Sequence, residues 1–181
     1  HWLNKHVGDG YNRGAVKTRL AAERSIPHLI KLPNWSPFTN PAHVERAELM
    51  FQRVYTDLEG VTQTMSKQMS RILSDGILKG ENPKKVASKL NDRIDKIGKT
   101  RAKLIARTEI IEAHNTASIK EAELLEAETG VVIRMKWITS IDGRQRHSHE
   151  ARHNKIYTRS KAQSMIGEPN CRCSITAHFD I

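Results

Sequence analysis

The segment between Trp137 and Cys173 holds the side chains of this sequence that are best suited to chemistry. Three histidines stand beside three arginines in it: His147, His149 and His153 with Arg144, Arg146 and Arg152. A histidine can act as a general base and arginines can clamp a phosphate, so one hypothesis is a metal-independent, ribonuclease-like enzyme. However, no second acid or base stands at a diagnostic spacing, and the sequence has no phosphate-binding glycine loop, His-Glu-x-x-His helix or serine nucleophile elbow. We therefore predict no enzymatic activity and assign no catalytic residue.

The same segment is rich in cations. Six basic residues fall within eighteen positions: Arg144, Arg146, Arg152, Lys155, Arg159 and Lys161. Only Asp142 and Glu150 oppose them nearby. No recognition helix or base-reading pattern accompanies these cations, so contacts with DNA would go to phosphates and would not depend on sequence. An acidic protein surface is the alternative partner, and both stay open at this point.

The elements that hold this segment are predicted to be two strands. Apolar residues alternate with polar ones from Val131 to Trp137 and again from Cys173 to Ile181. A period of two with β-branched residues is typical of half-buried strands that pair antiparallel. We expect Trp137 to be buried between this strand pair and a central helix, and a short helix near residues 160–166.

The chain before the strands is predicted to be helical. Asn40-Pro41 and Asn82-Pro83 are helix starts, with a capping side chain before a proline. The 3,4 spacing of apolar residues predicts one long helix over residues 42–73 that stops at Asp75-Gly76 and has a seam available for self-association. A shorter helix is expected from Pro83 to Gly98, and a central one from about 100 to 128, ended by Gly130.

These elements predict an α+β fold, in which a long-helix body precedes a small antiparallel β unit. We divide the chain into an N-terminal arm at 1–41, partly helical with a proline-containing linker, a helical body at 42–130 and a β unit with its Arg/His loop at 131–181. Thr108 and Asn115 lie seven apart on one face of the central helix, with Arg107 alongside. Buried polar groups need partners, so we interpret them as a hydrogen-bonded core network, with the wall of a site as the alternative.

Charge and apolar content limit the class of protein. The formal net charge of +10 is concentrated at the ends, with +4 over 1–41, +1 over 42–130 and +5 over 131–181. Such surfaces favour a polyanionic partner. No apolar run approaches the length that spans a bilayer, so we expect a soluble protein with no membrane partner. The two cysteines, Cys171 and Cys173, are too few for a disulfide framework and favour a reducing compartment.

An ordered set of motifs resembles the phage Mu F-like minor head protein, or head morphogenesis, family over about residues 76–178. The residues that carry the resemblance are Arg107, Thr108, Glu109, Asn115, Trp137, Asp142, His149, Cys171, Arg172 and Cys173. The resemblance implies a virion component located inside the head or at the portal vertex, and in the host cytoplasm during assembly. It also implies the portal or major capsid protein and packaged double-stranded DNA as partners, and a role in head assembly. The alternatives are the ribonuclease-like enzyme and another basic nucleic-acid-binding protein.

The sequence departs from the family pattern at two positions. The resemblance implies that many relatives have a pair of cysteines after Asp-x-Arg. With the terminal Cys-Arg-Cys, that pair would offer four thiolates to zinc. Here those positions are Arg146 and His149. His149, Cys171 and Cys173 remain as candidate ligands that only His147 or His153 could complete, and Arg146 is a poor neighbour for a cation. We therefore predict no metal and no cofactor, and expect Asp142 to pin the loop by pairing with Arg144 or Arg172.

Overall fold

The computed structural model describes residues 9–30, 35–51, 61–94 and 98–180. The helices are α1 Asp9–Ser25, α2 Pro41–Phe51, α3 Gln63–Leu78, α4 Pro83–Arg93, α5 Lys99–Thr129, α6 His147–Glu150 and α7 Arg159–Gln163, with a 3-10 turn at Pro37–Thr39. The strands are β1 Ile133–Ile138, β2 Ile156–Tyr157 and β3 Ser174–Phe179. Helices followed by a small antiparallel sheet confirm the predicted α+β class.

Helix ends follow the capping signals of the sequence. The side chain of Asn40 accepts a hydrogen bond from the Ala42 amide, and that of Asn82 accepts one from the Lys84 amide, both at 2.9 Å. A proline at the first helical position loses no hydrogen bond, so the two dipeptides start α2 and α4 as predicted. At the other end of the body, Gly130 ends α5 in a left-handed conformation with φ of 71°.

The single helix predicted over residues 42–73 is wrong. Thr62 caps a new helix by accepting a hydrogen bond from the Met65 amide at 3.2 Å, and residues 61–62 are not helical. The predicted seam residues between 52 and 60 lie outside the described residues. The predicted stop at Asp75-Gly76 is also wrong, because α3 continues to Leu78. Gly76 allows α3 and α4 to pack closely, because a Cβ at this position would lie 2.4 Å from the Val86 side chain of α4.

Helix α5 is the scaffold of the molecule, since it contributes to both apolar cores. The first core joins α1, α3, α4 and the N-terminal half of α5. The second joins the end of α1 and the C-terminal half of α5 to the inner face of the sheet, including Met135, Trp137 and Ile175. Trp137 is 1% exposed, as predicted. None of the described helices is long and apolar enough to cross a membrane.

A buried polar network ties α1 and α2 to α5, and no sequence pattern indicated it. The hydroxyl of Tyr11 lies 3.0 Å from Nδ1 of His43, and Nε2 of His43 lies 2.8 Å from a carboxylate oxygen of Glu121. Arg19 donates to the other oxygen of Glu121 at 2.8 Å. Burial raises the pKa of Tyr11 well above its usual value. These hydrogen bonds fix the first helix against the scaffold, although Nε of Arg19 is buried without a partner among the described residues.

The sheet has the strand order β2-β1-β3, with both pairs antiparallel. Trp137 lies opposite Ile175 and Met135 opposite Ala177, so the apolar residues of both strands share the face towards α5. The strand pair was predicted, whereas the two-residue β2 was not. The segment between β1 and β3 leaves the sheet, forms α6, returns as β2 and then forms α7 close to the predicted position.

Candidate site around His149, Cys171 and Cys173

His149 lies on the short helix α6 and points into the protein. It is 3% exposed, and its backbone carbonyl accepts a hydrogen bond from the Thr139 hydroxyl at 2.7 Å. Its ring meets the ring of Trp137 edge-on, at 6.2 Å between centroids. These contacts hold the imidazole with Nδ1 at 3.3 Å from Sγ of Cys173 and 3.5 Å from Sγ of Cys171. The sequence separates these residues by more than twenty positions, and the fold brings them together.

Cys171 and Cys173 lie where the chain enters β3. Asn170 before them adopts a left-handed conformation with φ of 58°, which turns the chain so that both sulfurs face His149. The amide of Cys173 donates a hydrogen bond to Sγ of Cys171 at 3.3 Å. The hydrogen bond between the two thiols lowers the pKa of Cys173 and raises that of Cys171. The pair therefore gives up its first proton more readily than its second.

Glu168 orients His149 from the opposite side of the ring. One of its oxygens lies 2.8 Å from Nε2 of His149, and the carboxylate also accepts hydrogen bonds from Arg146 and Arg152, each at 2.9 Å. Burial alone would raise the pKa of Glu168, but the hydrogen bonds from Arg152 and His149 hold that pKa below its usual value. An ionised Glu168 accepts the proton of Nε2, so the lone pair of Nδ1 faces the two sulfurs.

Helix α5 fixes the cysteine turn through the predicted polar residues of its face. Arg107 donates to the side-chain oxygen of Asn170 at 2.6 Å, and the Thr108 hydroxyl accepts the Asn170 amide at 2.8 Å. Asn115 is buried, donates to the Cys173 carbonyl at 3.0 Å and accepts the Ile175 amide at 3.1 Å. Asn115 therefore forms part of a buried hydrogen-bonded network, whereas Thr108 is only half-buried, and both residues position the cysteine turn.

Asp142 pins the loop that precedes α6. Nη1 and Nη2 of Arg172 both donate to its carboxylate, and Arg144 donates to it at 2.8 Å. These hydrogen bonds, with the one from Arg172 the strongest, hold the pKa of Asp142 well below its usual range. The expected pairing of Asp142 is confirmed with both arginines.

A sequence model of the phage Mu protein F-like family matches residues 67–176. The match covers more than half of the chain and includes the whole site described above. The chain belongs to this family. Mu F-like proteins form a structural family of phage head morphogenesis proteins, which are components of the virion. No curated protein and no solved structure matches the chain.

In this Mu F-like protein the six predicted contact cations divide into two groups. Four are engaged with carboxylates: Arg144 with Asp142, Arg146 and Arg152 with Glu168, and Arg159 with Glu126 of α5. Arg152 also lies over the Trp137 ring at 5.3 Å. Lys155 and Lys161 are exposed and form no ion pair within the described parts of the chain. Partner contact by these residues stays a prediction, and the two lysines are the ones most available for it.

The three histidines of the loop do not converge on one point. The side chain of His147 is fully exposed, 3.9 Å from Glu150. His149 is buried against the cysteines, and Nδ1 of His153 accepts the Thr139 amide at 3.0 Å. A general acid and base must both reach one substrate, so this geometry does not favour the ribonuclease-like hypothesis.

Sequence reasoning missed Glu168 and Glu126, the two carboxylates that organise the loop. Each is a single acidic residue in a basic context, and no spacing marks it as a partner of His149 or Arg159. The signal available was charge balance: a loop with so many arginines beside a buried histidine needs a carboxylate within reach.

Proposed function

We propose that this protein is a minor component of the phage head that docks near the portal and the inner capsid wall. There it acts in head assembly and contacts packaged DNA without reading its sequence. Membership of the Mu F-like family over residues 67–176 is the observation that carries the proposal.

DNA contact is supported by cations that the fold leaves free. Lys155 directly precedes the edge strand β2, and Lys161 lies on α7, the helix that follows that strand. Arg144 adds to them, since its side chain is 77% exposed although it pairs with Asp142. The other three arginines already form ion pairs with carboxylates and would have to break them to reach a phosphate: Arg146, Arg152 and Arg159. Contacts from mobile lysines to phosphates add affinity without sequence preference.

The DNA contact is tested by replacing both lysines with serine and titrating a random duplex across a salt series by fluorescence anisotropy. We expect weaker binding and a shallower salt dependence, by about 1.8 in the slope of log affinity against log salt, at about 0.9 for each lost phosphate contact. The matched control replaces Lys67 and Lys84, which are exposed on α3 and α4 and form no ion pair within the described residues.

The control removes the same charge from a different surface. Unchanged affinity in the variant lacking Lys155 and Lys161 would remove the DNA role from this surface. Equal losses in both double variants would show that net charge alone drives binding.

Docking on a head protein is supported by an exposed apolar side chain on α2, at the edge of a cleft whose lining is otherwise largely polar. Leu49 is 55% exposed and lines a cleft of about 370 Å³ between α2, α5 and α7. We propose that this surface contacts the portal or the major capsid protein, with self-association through residues 42–73, the segment that includes most of α2, as the alternative.

Co-sedimentation with portal rings and capsid shells of the same phage tests the docking. Leu49→Asp is expected to abolish it, whereas Val132→Asp, at a residue 53% exposed at the start of the sheet, is expected to leave it intact. Binding that survives Leu49→Asp would place the docking surface elsewhere. A change of oligomeric state in Leu49→Asp, with docking intact, would assign α2 to self-association.

A further inference from the structure

We propose that His149, Cys171 and Cys173 bind a zinc ion that fastens α6 to the start of β3. The three donor atoms lie within 4.8 Å of one another, and all three residues are buried. Thiolate and imidazole ligands are the set that zinc prefers in proteins. The inference goes beyond the role in head assembly and does not depend on it.

The nitrogen–sulfur distances are close to those around a single tetrahedral ion. Zinc bonds of about 2.3 Å to sulfur and about 2.05 Å to nitrogen at the tetrahedral angle place nitrogen and sulfur about 3.6 Å apart. Nδ1 of His149 lies 3.3 and 3.5 Å from the sulfurs of Cys173 and Cys171. One ion can therefore reach all three atoms with small adjustments of the side chains.

Hydrogen bonding by itself accounts for this cluster less well. Nδ1 carries one lone pair, so it can accept a proton from only one of the two thiols that face it. The second buried thiol would have to rely on its neighbour or on the Thr139 hydroxyl, which lies 3.7 Å from Sγ of Cys173. A metal ion uses the lone pair of His149 and both sulfurs at once.

Glu168 supplies the outer contact that a zinc-binding histidine needs. Its carboxylate, 2.8 Å from Nε2 of His149, fixes the tautomer whose Nδ1 is free to bind a metal. The charge of Arg146, which made the sequence look unsuitable, is held by the Glu168 carboxylate and the Pro169 carbonyl on the Nε2 side of the ring. Two thiolates then balance the two charges of zinc.

The fourth coordination position belongs to solvent. A cavity of about 80 Å³ adjoins the cluster, and its lining includes Ser140, Gln145 and both cysteines. It is large enough for a water molecule beside the ion. Three protein ligands and one water give zinc four ligands without His147 or His153, which lie elsewhere.

The test uses the full untagged chain, reduced and freed of metal with a chelator. Zinc affinity is measured by competition with a chromophoric chelator, and cobalt is added separately to read the ligands from the visible and near-ultraviolet spectrum. We expect one zinc per chain retained after desalting. The cobalt form should show thiolate charge transfer and the intense d–d bands of a tetrahedral site.

Variants then assign the ligands. Cys173→Ser and His149→Gln should lose retained zinc, whereas His147→Gln, a matched change at an exposed histidine of the same helix, should bind zinc like the wild type. Glu168→Gln, which keeps a hydrogen-bonding partner but removes the charge, should weaken zinc binding roughly 10–100-fold. Circular dichroism identifies any variant that fails to fold.

The wild-type measurements decide the question even if the variants do not fold. Absence of retained zinc, or a cobalt complex without thiolate charge transfer, would overturn the proposal. So would folded Cys173→Ser or His149→Gln protein that keeps the affinity of the wild type. Zinc binding that persists in a variant unable to dock or bind DNA would leave this inference standing.

Discussion

Asn115 gives the sharpest test of how α5 holds the site. Its side chain is 3% exposed and forms hydrogen bonds with the backbone at the start of β3. It donates to the Cys173 carbonyl and accepts a hydrogen bond from the Ile175 amide. Cys173 and Ile175 are themselves buried, so water cannot replace the lost amide. Each unpaired buried backbone group costs about 1–3 kcal/mol. Asn115→Leu keeps the volume filled but leaves two such groups, so it should lower the free energy of unfolding by about 2–6 kcal/mol.

Urea denaturation followed by tryptophan fluorescence measures this loss. The control is Asn91→Leu on α4, where the side chain is exposed and, among the described residues, forms a hydrogen bond with Asp92 alone, at 3.5 Å. That change should stay within about 0.5 kcal/mol. A loss below about 1 kcal/mol for Asn115→Leu, with an unchanged dependence on urea, would refute the reasoning, because two unsatisfied groups cost more than that. A loss of equal size in Asn91→Leu would show that leucine is harmful in general.

Two further predictions concern the packing and charge of α5. A Cβ at Gly14 of α1 would lie 2.1 Å from the His114 carbonyl oxygen, so Gly14→Ala should lower the free energy of unfolding in urea by about 1–3 kcal/mol. Helix propensity alone predicts the opposite, a stabilisation of about 1 kcal/mol. That result would show that the two helices are further apart. The hydrogen bond from Arg159, followed by that from the Ile133 amide, lowers the pKa of Glu126 below 4.5, so its contribution to stability is present above that pH and is lost as pH falls through the lowered pKa. Glu126→Gln should therefore reduce the fall in the free energy of unfolding at acidic pH, whereas Glu123→Gln, at an exposed residue of the same helix, should not. The same fall at acidic pH in Glu126→Gln and in the wild type would contradict the assignment.

Local signals in the sequence predicted the parts of the fold that local chemistry decides. The Asn-Pro pairs start α2 and α4, Gly130 ends α5, and alternation identified β1, β3 and the burial of Trp137. Periodicity failed between α2 and α3 because apolar spacing does not detect a new helix start, which here depends on the Thr62 cap. The strand β2 has only two residues, too few to show an alternating pattern of apolar and polar side chains.

The sequence identified individual residues of the site but did not predict that they lie close together. His149, Cys171 and Cys173 were identified as candidates, yet their convergence depends on the turn at Asn170, which Arg107 and Thr108 hold from α5. Such contacts join residues more than sixty positions apart, and no local pattern encodes them. The ion pairs of Arg146, Arg152 and Arg159 were missed for a similar reason, because their partners Glu168 and Glu126 are distant in the sequence. The pairing of Arg144 with Asp142, two positions away, was expected.

Most of the residues that carry the family resemblance hold the loop, the cysteine turn and β3 together through hydrogen bonds. Arg107 and Thr108 hold Asn170, Asn115 holds the start of β3, Cys173 meets His149, and Arg172 holds Asp142. Residues engaged in this way have little capacity left for an external partner. These residues therefore stabilise the fold. Under the proposed function, recognition of DNA or of a head protein would depend on exposed side chains outside the motif, such as Lys155, Lys161 and Leu49. Changes within the motif should consequently reduce stability before they change partner choice, whereas changes to the exposed residues should alter binding in a protein of unchanged stability.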